Sequence, residues 1–436
     1  MKKVLSLVLA FTLLPMSLNP VFAAKKKEKS VEITYWTHDN APTNAFEKTL
    51  IAEYENKYPN VKINYLPVPG AQIVTKLATS IAGGTGPDLV NVIRRVMPQL
   101  ASKNLLQAVD FSTIEDVYGK KYKGPKAGRN YFNSMYSPAV RDAFKWNGRQ
   151  IGIPHEVASY TFWVNKSFTS KAGIKSLPRT WDELIATCKA ISNANPGVTA
   201  LVLPLNSSGQ MYQVFDQIVR AAGGKLITPD GKTPMLDTPA VIKALTLWRD
   251  LVKTHNCIDP AIGPIAGATA ADLFAQEKSA MTMSAASWYV PYLKTGYPEV
   301  YKNYDVGQLP LFNASDKPAG GSIYSYSLLV PKTSKVSREA WKFGVWLSSK
   351  GQEYFNSTGI WLGDTKTFNS KVTANSERWA EFKKAIETGE FLPAVTSYLQ
   401  WTDIVKLMID SVILGTVAPD AAVKTAQEAA IRLLYN

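Results

Sequence analysis

The sequence predicts an α/β fold in two domains, and three observations carry that expectation. Between residues 31 and 93 the apolar positions switch repeatedly between a period of two and a period near 3.6, giving the order strand, helix, strand, helix, strand. That order belongs to a parallel sheet with helices on its faces. Strands and helices go on alternating after it. Length supplies the third observation: without an N-terminal export signal over 1–23, 436 − 23 = 413 residues remain, too many for one ordinary core and comfortable for two.

The export signal is read from Met1-Lys2-Lys3, the apolar run 4–14 and the small-residue stop Val21-Phe22-Ala23. Pro15 breaks the run, which is shorter than the roughly 20 residues that cross a bilayer. The first cysteine is Cys188, so no lipid-attachment cysteine stands at the cleavage point. The expectation is an exported, periplasmic protein without an anchor. Residues 24–30, rich in lysine, read as a basic flexible leader.

Val31, Ile33 and Tyr35 alternate with polar residues as a strand does, and a loop follows at 37–42. Phe46, Leu50, Ile51 and Tyr54 make the apolar face of a helix, for which Asn44 and Glu47 form a capping box and Tyr58-Pro59-Asn60 a stop. Val61, Ile63 and Tyr65 predict a second strand; Ile73, Leu77 and Ile81 predict a second helix. Gly83 to Asp88 turns the chain into a short buried strand at 89–93. Ligands of such sheets sit beyond the carboxyl ends of the strands, which here means 38–40 and 94–95. Further on, 150–158 reads as a crossing between lobes. Thr180 with Glu183, and Thr238 with Pro239, open helices, and 322–331 reads as an extended return crossing. The remainder is mostly helical, ending in a helix begun by Pro419.

Composition narrows the function. The formal charge falls from +14 to +12 when Lys2 and Lys3 leave with the signal, and the rest is dispersed, with no nucleic-acid-reading motif beside it. Export argues the same way, so nucleic acid is not an expected partner. Cys188 and Cys257 are compatible with one disulfide or with two buried thiols. Eleven Trp and 20 Tyr exceed what core filling requires, and rings with a polar edge also suit carbohydrate, whose C–H faces stack while its hydroxyls seek polar partners.

Catalytic signatures are missing. There is no Gly-x-Ser-x-Gly elbow, no His-Glu-x-x-His helix and no P-loop, since the glycines at 83–86 lack a following Lys-Ser or Lys-Thr. The three histidines have no metal-ligand spacing, and no cofactor or metal is expected. Two distant carboxylates acting on a glycosidic bond remain the alternative, a secreted carbohydrate-active enzyme such as a glycosidase or lyase.

Several segments resemble one family in order and spacing over essentially the whole mature chain. They are the helix, glycine turn and Pro-Asp strand start at 76–90; Lys103-Asn104-Leu105-Leu106-Gln107; Gly152-Ile153-Pro154; Trp163-Val164-Asn165-Lys166; Ala172-Gly173-Ile174; 178–184; 274–281; and Ala340-Trp341-Lys342-Phe343. These resemble the extracellular solute-binding proteins of ABC importers, the large sugar-binding group that includes the maltose-binding proteins. The resemblance implies two discontinuous α/β lobes of type II with a ligand cleft and a hinge. The N-terminal lobe would take 31–150 plus 275–325, and the C-terminal lobe 151–274 plus 326–436. It implies a non-enzymatic monomer that captures a mono- or oligosaccharide, neutral first and acidic second, and delivers it to ABC permease subunits.

The candidate ligand-binding residues follow from these positions. Trp288, after the small residues 284–287, resembles the family's stacking Trp; Trp361 and Trp401 are similar, and Trp36 divides between ligand and core. His38, Asp39 and Asn40 leave the first strand, and His155 and Glu156 sit on the first crossing. Tyr212 follows a loop expected to rim the site. Gly321 offers backbone N–H groups and Tyr324 lies on the return crossing. Arg94, at a strand's carboxyl end, is suited either to a sugar carboxylate or to neutral hydroxyls.

Overall fold

The computed structural model describes residues 29–261, 269–376 and 378–435. The expected export signal and nearly all of the leader lie outside them. Among the described residues twelve strands are formed: β1 Val31–His38, β2 Val61–Val68, β3 Leu89–Ile93, β4 Lys145–Trp146, β5 Arg149–Gln150, β6 Ile153–Ser159, β7 Thr161–Asn165, β8 Thr199–Val202, β9 Ser279–Ala285, β10 Tyr304–Gly307, β11 Ser322–Leu329 and β12 Glu390–Phe391. The first sheet runs β12-β11-β3-β1-β2, with β6 pairing on β11, and the second runs β10-β7-β9-β8.

The β-α-β-α-β unit is present as the periodicity predicts. β1 pairs in parallel with β2 on one side, Val31 opposite Val61, and with β3 on the other, Tyr35 opposite Leu89. Because β2 and β3 flank β1, the chain leaves β1 and β3 at a switch point of the sheet, where side chains splay apart and leave room. Ile73, Leu77 and Ile81 are buried along one face of the helix Gly70–Ala82. One start differs from expectation. The first helix spans Ala41–Lys57 and is capped by Asn40, whose side chain accepts from the Thr43 N–H at 3.3 Å, with Pro42 in the first turn. Asn44 and Glu47 therefore sit inside the helix rather than at its cap.

The chain passes between the sheets three times: at Tyr160, through 308–321, and after β12. The expected lobe boundaries, with two crossings, missed the third. Residues 275–325 were expected with the N-terminal lobe, yet β9 and β10 hydrogen-bond to β7 in the second sheet. The rings of Tyr289 and Tyr304 nevertheless pack into the first sheet's core. Residues 326–436 were expected with the C-terminal lobe, yet Trp341, Phe343, Trp346, Trp361 and Trp379 all join that same first core. Only from Leu392 does the chain return, laying Tyr398, Trp401 and Val405 against Phe215 and Trp248. An apolar helix matches either core equally well in sequence, so its partner was not readable there.

The second core is stapled. Thr180 caps Trp181–Ala194 by accepting from the Glu183 N–H at 3.2 Å, and Thr238 caps Pro239–Lys253. Cys188 on the first of these helices and Cys257 just after the second are joined as a disulfide.

Candidate functional site

A cavity of ≈ 330 Å³ opens at the carboxyl ends of β1 and β3 and is closed on its far side by the helix Ser208–Ala221 and by Trp288. That volume lies at the lower end of the range for small-ligand sites. His38, Asp39, Asn40, Arg95 and Glu156 reach it from the first sheet, and Gln210 and Gln213 from the opposing helix. Tyr160, Trp288, Tyr324 and Tyr326 add rings.

Glu156 owes its orientation to a bulge. Between Tyr326 and Tyr324 on β11 the partner strand β6 advances from His155 to Ala158, three residues against two, and Glu156 takes φ +52°. A non-glycine residue in the left-handed region costs about 1–3 kcal/mol. Bulges of this kind re-aim side chains beside functional sites. Here the carboxylate is turned onto His38, whose Nε2 stands 2.8 and 2.9 Å from its two oxygens, while Asn91 Nδ2 donates to Oε1 at 2.6 Å. The His38 ring also stacks on Tyr326, centroids 4.1 Å apart. Burial alone would push the His38 imidazole down, but the Glu156 charge and hydrogen bond raise it above its usual range. Burial would likewise raise Glu156, and His38, by charge and hydrogen bond, holds the carboxyl below its usual range instead.

A second layer supports the pair. The buried Glu47 carboxylate accepts from the hydroxyls of Tyr35 and Tyr354, each at 3.1 Å, and of Tyr65 at 2.9 Å. His155 lies 3.7 Å from Glu47 and faces Tyr354 edge-on. On the ring side, Tyr160 and Tyr324 have centroids 5.3 Å apart. Burial pushes the Tyr160 hydroxyl up to about 12 and raises Tyr324 and Tyr326 too, so all three stay protonated donors at ordinary pH. Arg95 spans the cavity: its Nη1 donates to Gln213 Oε1 at 3.3 Å and to the Gly209 carbonyl at 3.4 Å, with the guanidinium over the Tyr398 ring.

Of the residues expected at a site, His38, Asp39, Asn40, Glu156, Trp288 and Tyr324 line this cavity. The others do not. Trp36 is buried on the far face of β1 beneath the Lys76 ammonium. Arg94 is buried and donates to the carbonyls of Ala143, at 3.0 Å, and of Leu392. His155 is fully buried beside Glu47 and does not reach the cavity, the bulge having turned Glu156 alone towards it. Tyr212 and Trp401 pack edge to face within the second core. Gly321 is enclosed by Ser159 and the Tyr160 carbonyl, so its missing side chain serves chain packing, not a ligand. Trp361 donates from Nε1 to the Asp364 carbonyl at 2.8 Å and borders a separate, mostly apolar cavity with Phe368 and Phe391.

Tyr160, Gln210, Gln213 and Tyr326 were missed, and Arg95, at the strand end expected to face ligand, was passed over for Arg94. Two signals could have found Tyr326 and the two glutamines. Tyr324 and Tyr326 are i and i+2 on one strand and share a face; Gln210 and Gln213 are i and i+3 on a helix whose opposite side carries Tyr212.

The profile of the family described as bacterial extracellular solute-binding protein matches residues 39–354, a span that holds nearly every cavity residue, the whole second sheet and the first sheet apart from β1 and β12. The chain belongs to that family. Among relatives, the diacetylchitobiose binding protein DasA of Streptomyces coelicolor is 24% identical over 402 residues, 89% of this solute-binding protein and 87% of DasA. A solved structure of the GacH receptor of Streptomyces glaucescens, studied with acarbose, superposes with TM-score 0.79 at 20% identity, covering 94% of this chain and all of GacH. A Thermotoga lettingae ABC transporter solute-binding protein with α-D-tagatose gives TM-score 0.79 at 22% identity, covering 93% and 100%. These likenesses establish the fold, the two-lobed type II architecture shared with maltose-binding proteins. Membership places the chain among exported binding proteins, and among the described residues no helix is long and apolar enough to cross a membrane.

Proposed function

We propose that this solute-binding protein captures a mono- or short oligosaccharide in the ≈ 330 Å³ cavity and presents it to an ABC permease from the periplasm. The observation that carries the reading is the lining: four aromatic rings among His38, Asp39, Asn40, Gln210 and Gln213, stacking faces alternating with hydroxyl partners. What relatives are named for points the same way, since DasA is named for diacetylchitobiose and structural neighbours were solved with acarbose, tagatose and mannobiose. The two sheets are the two lobes in this reading. The first lobe takes 31–159 and 322–391, the second 161–307 and 392–435.

Carriage is favoured over hydrolysis by the state of Glu156. A glycosidase acid needs a carboxyl held above its usual range so that it keeps a proton to give. Both Glu156 oxygens instead face His38, and the carboxyl is held low.

A thermal-shift screen of the mature protein against a carbohydrate panel tests this. A sugar at about a hundred times its Kd adds about 2.7 kcal/mol of stability, a readily visible rise in Tm. The stabilising sugar is expected back intact after prolonged incubation. Its recovery as fragments or modified product, in amounts exceeding the protein, would refute the carrier reading.

A further inference from the structure

Two guanidiniums stand side by side at the end of β3 without an acid to balance them. Arg94 and Arg95 make no ion pair among the described residues; their hydrogen bonds go to the carbonyls of Ala143, Leu392 and Gly209 and to the Gln213 amide. Burial and the charge of Arg95 together lower Arg94 to about 10, as expected where two cations meet with no anion between them. Every nearby acid is engaged elsewhere. Glu156 is held by His38 and Asn91, and Asp216, one turn along from Gln213, accepts from Arg220 Nε at 3.1 Å and from the Ser322 hydroxyl. Asp39 stands at the exposed rim and accepts from Asn44 Nδ2 at 2.7 Å.

Arg94 is shut away behind its two carbonyls, but Arg95 faces the cavity and spends only Nη1 on the protein. Its Nε is buried with no hydrogen-bond partner. Nε and Nη2 form one edge of the guanidinium plane, a fork that matches the two oxygens of a carboxylate. An unpartnered buried donor on a charged group is costly, and a ligand acceptor there would remove the cost.

We propose that the sugar this cavity selects is a monoanion of the uronate class, its carboxylate seated on the Nε/Nη2 edge of Arg95. The assignment rests on the carbohydrate reading above and goes further by naming the charge of the ligand. Tyr160, Tyr324, Tyr326 and Trp288 would hold the sugar ring, and the His38–Glu156 end would meet its hydroxyls. A dianion such as a sugar phosphate suits the cavity less well, because Glu156 and Asp39 at that opposite end repel further negative charge.

Calorimetric titration with matched pairs tests it: galacturonate against galactose, glucuronate against glucose, and a diuronide against a neutral disaccharide. The uronate is expected to bind more tightly by about tenfold to a hundredfold, the worth of a hydrogen-bonded charge. Arg95→Gln is expected to bring that ratio towards one, and Arg95→Lys, which keeps charge without the fork, to leave an intermediate ratio. Melting curves of each variant report whether the fold survives, and the wild-type ratio needs no variant at all. Neutral sugars bound as tightly as their uronates, a ratio that survives Arg95→Gln in a folded protein, or preference for glucose 6-phosphate over glucuronate would each overturn the uronate assignment while leaving the carrier reading in place. Silence of both the acidic and the neutral series would remove the carbohydrate reading itself.

Discussion

Glu156 is held in a left-handed backbone conformation in which its side chain meets His38, and each group shifts the other towards its charged form. The raised imidazole contributes stability that is fully present below its unfolded value, near 6.5, and is lost as pH rises through the higher folded value. The lowered carboxyl contributes stability present above its unfolded value, near 4.3, and lost as pH falls through the lower folded one. Between those limits the pair is charged and intact. Glu156→Gln keeps the size and hydrogen-bonding reach of the side chain but removes the charge, so the His38 imidazole is expected to titrate at lower pH, followed by its ring-proton NMR shifts. An unchanged His38 titration would mean that Asp39 or Glu47, not Glu156, sets it. The sequence placed His38, Asp39 and Asn40 correctly at a strand's exit because the β-α-β order fixes which ends face the ligand side. It offered both His155 and Glu156 and could not choose, since nothing in the residue types marks a bulge. The same limit misdirected the reading of the arginines: the residues after Ile93 leave the strand as a turn, and which guanidinium faces the cavity depends on that turn, not on alternation.

At the scale of elements, period and capping were readable where a helix or strand has one apolar face, as in Gly70–Ala82, Trp181–Ala194 and Pro239–Lys253. What period could not give was the partner of each face, and so β9, β10 and the helices between 337 and 387 were assigned to the wrong sheet or core. The disulfide lies at the same limit: two cysteines 69 residues apart were open to pairing or not, and only the packing of Trp181–Ala194 beside the end of Pro239–Lys253 brings their Cα atoms to 5.3 Å. Closing so long a loop restricts the unfolded chain, a stabilisation of about 2–4 kcal/mol. Replacing both cysteines by serine is therefore expected to lower the free energy of unfolding by that amount, read as a fall in the urea midpoint at unchanged slope, while sugar affinity, set at the other side of the second core, stays close to wild type. A double variant as stable as the parent would show that the unfolded chain is already compact across this loop.

The whole molecule divides the cavity between two bodies. Arg95 belongs to the first sheet, Gln213 and Gly209 to a helix of the second core, and their hydrogen bonds exist only while the walls are close. Among the described residues three connections join the bodies, at Tyr160, at 308–321 and after β12. In the proposed carrier, a change in a few backbone torsions at these connections would open the walls. The cost of closure without ligand is plain at Arg95, whose Nε is buried without a partner, and an open form would let water reach it. A ligand that touches both walls binds the closed form more tightly than the open one and shifts the balance by that difference alone. The free protein is thus expected to scatter as a more extended particle than the saturated one, with the radius of gyration falling on addition of a sugar already shown to raise Tm. Arg95→Gln removes the bridge and the buried orphan together, so the free variant is expected to show less contrast with its bound state. A radius of gyration that does not move at saturation in the wild-type protein would establish a preformed, rigid cavity, and the connections would then be struts rather than hinges.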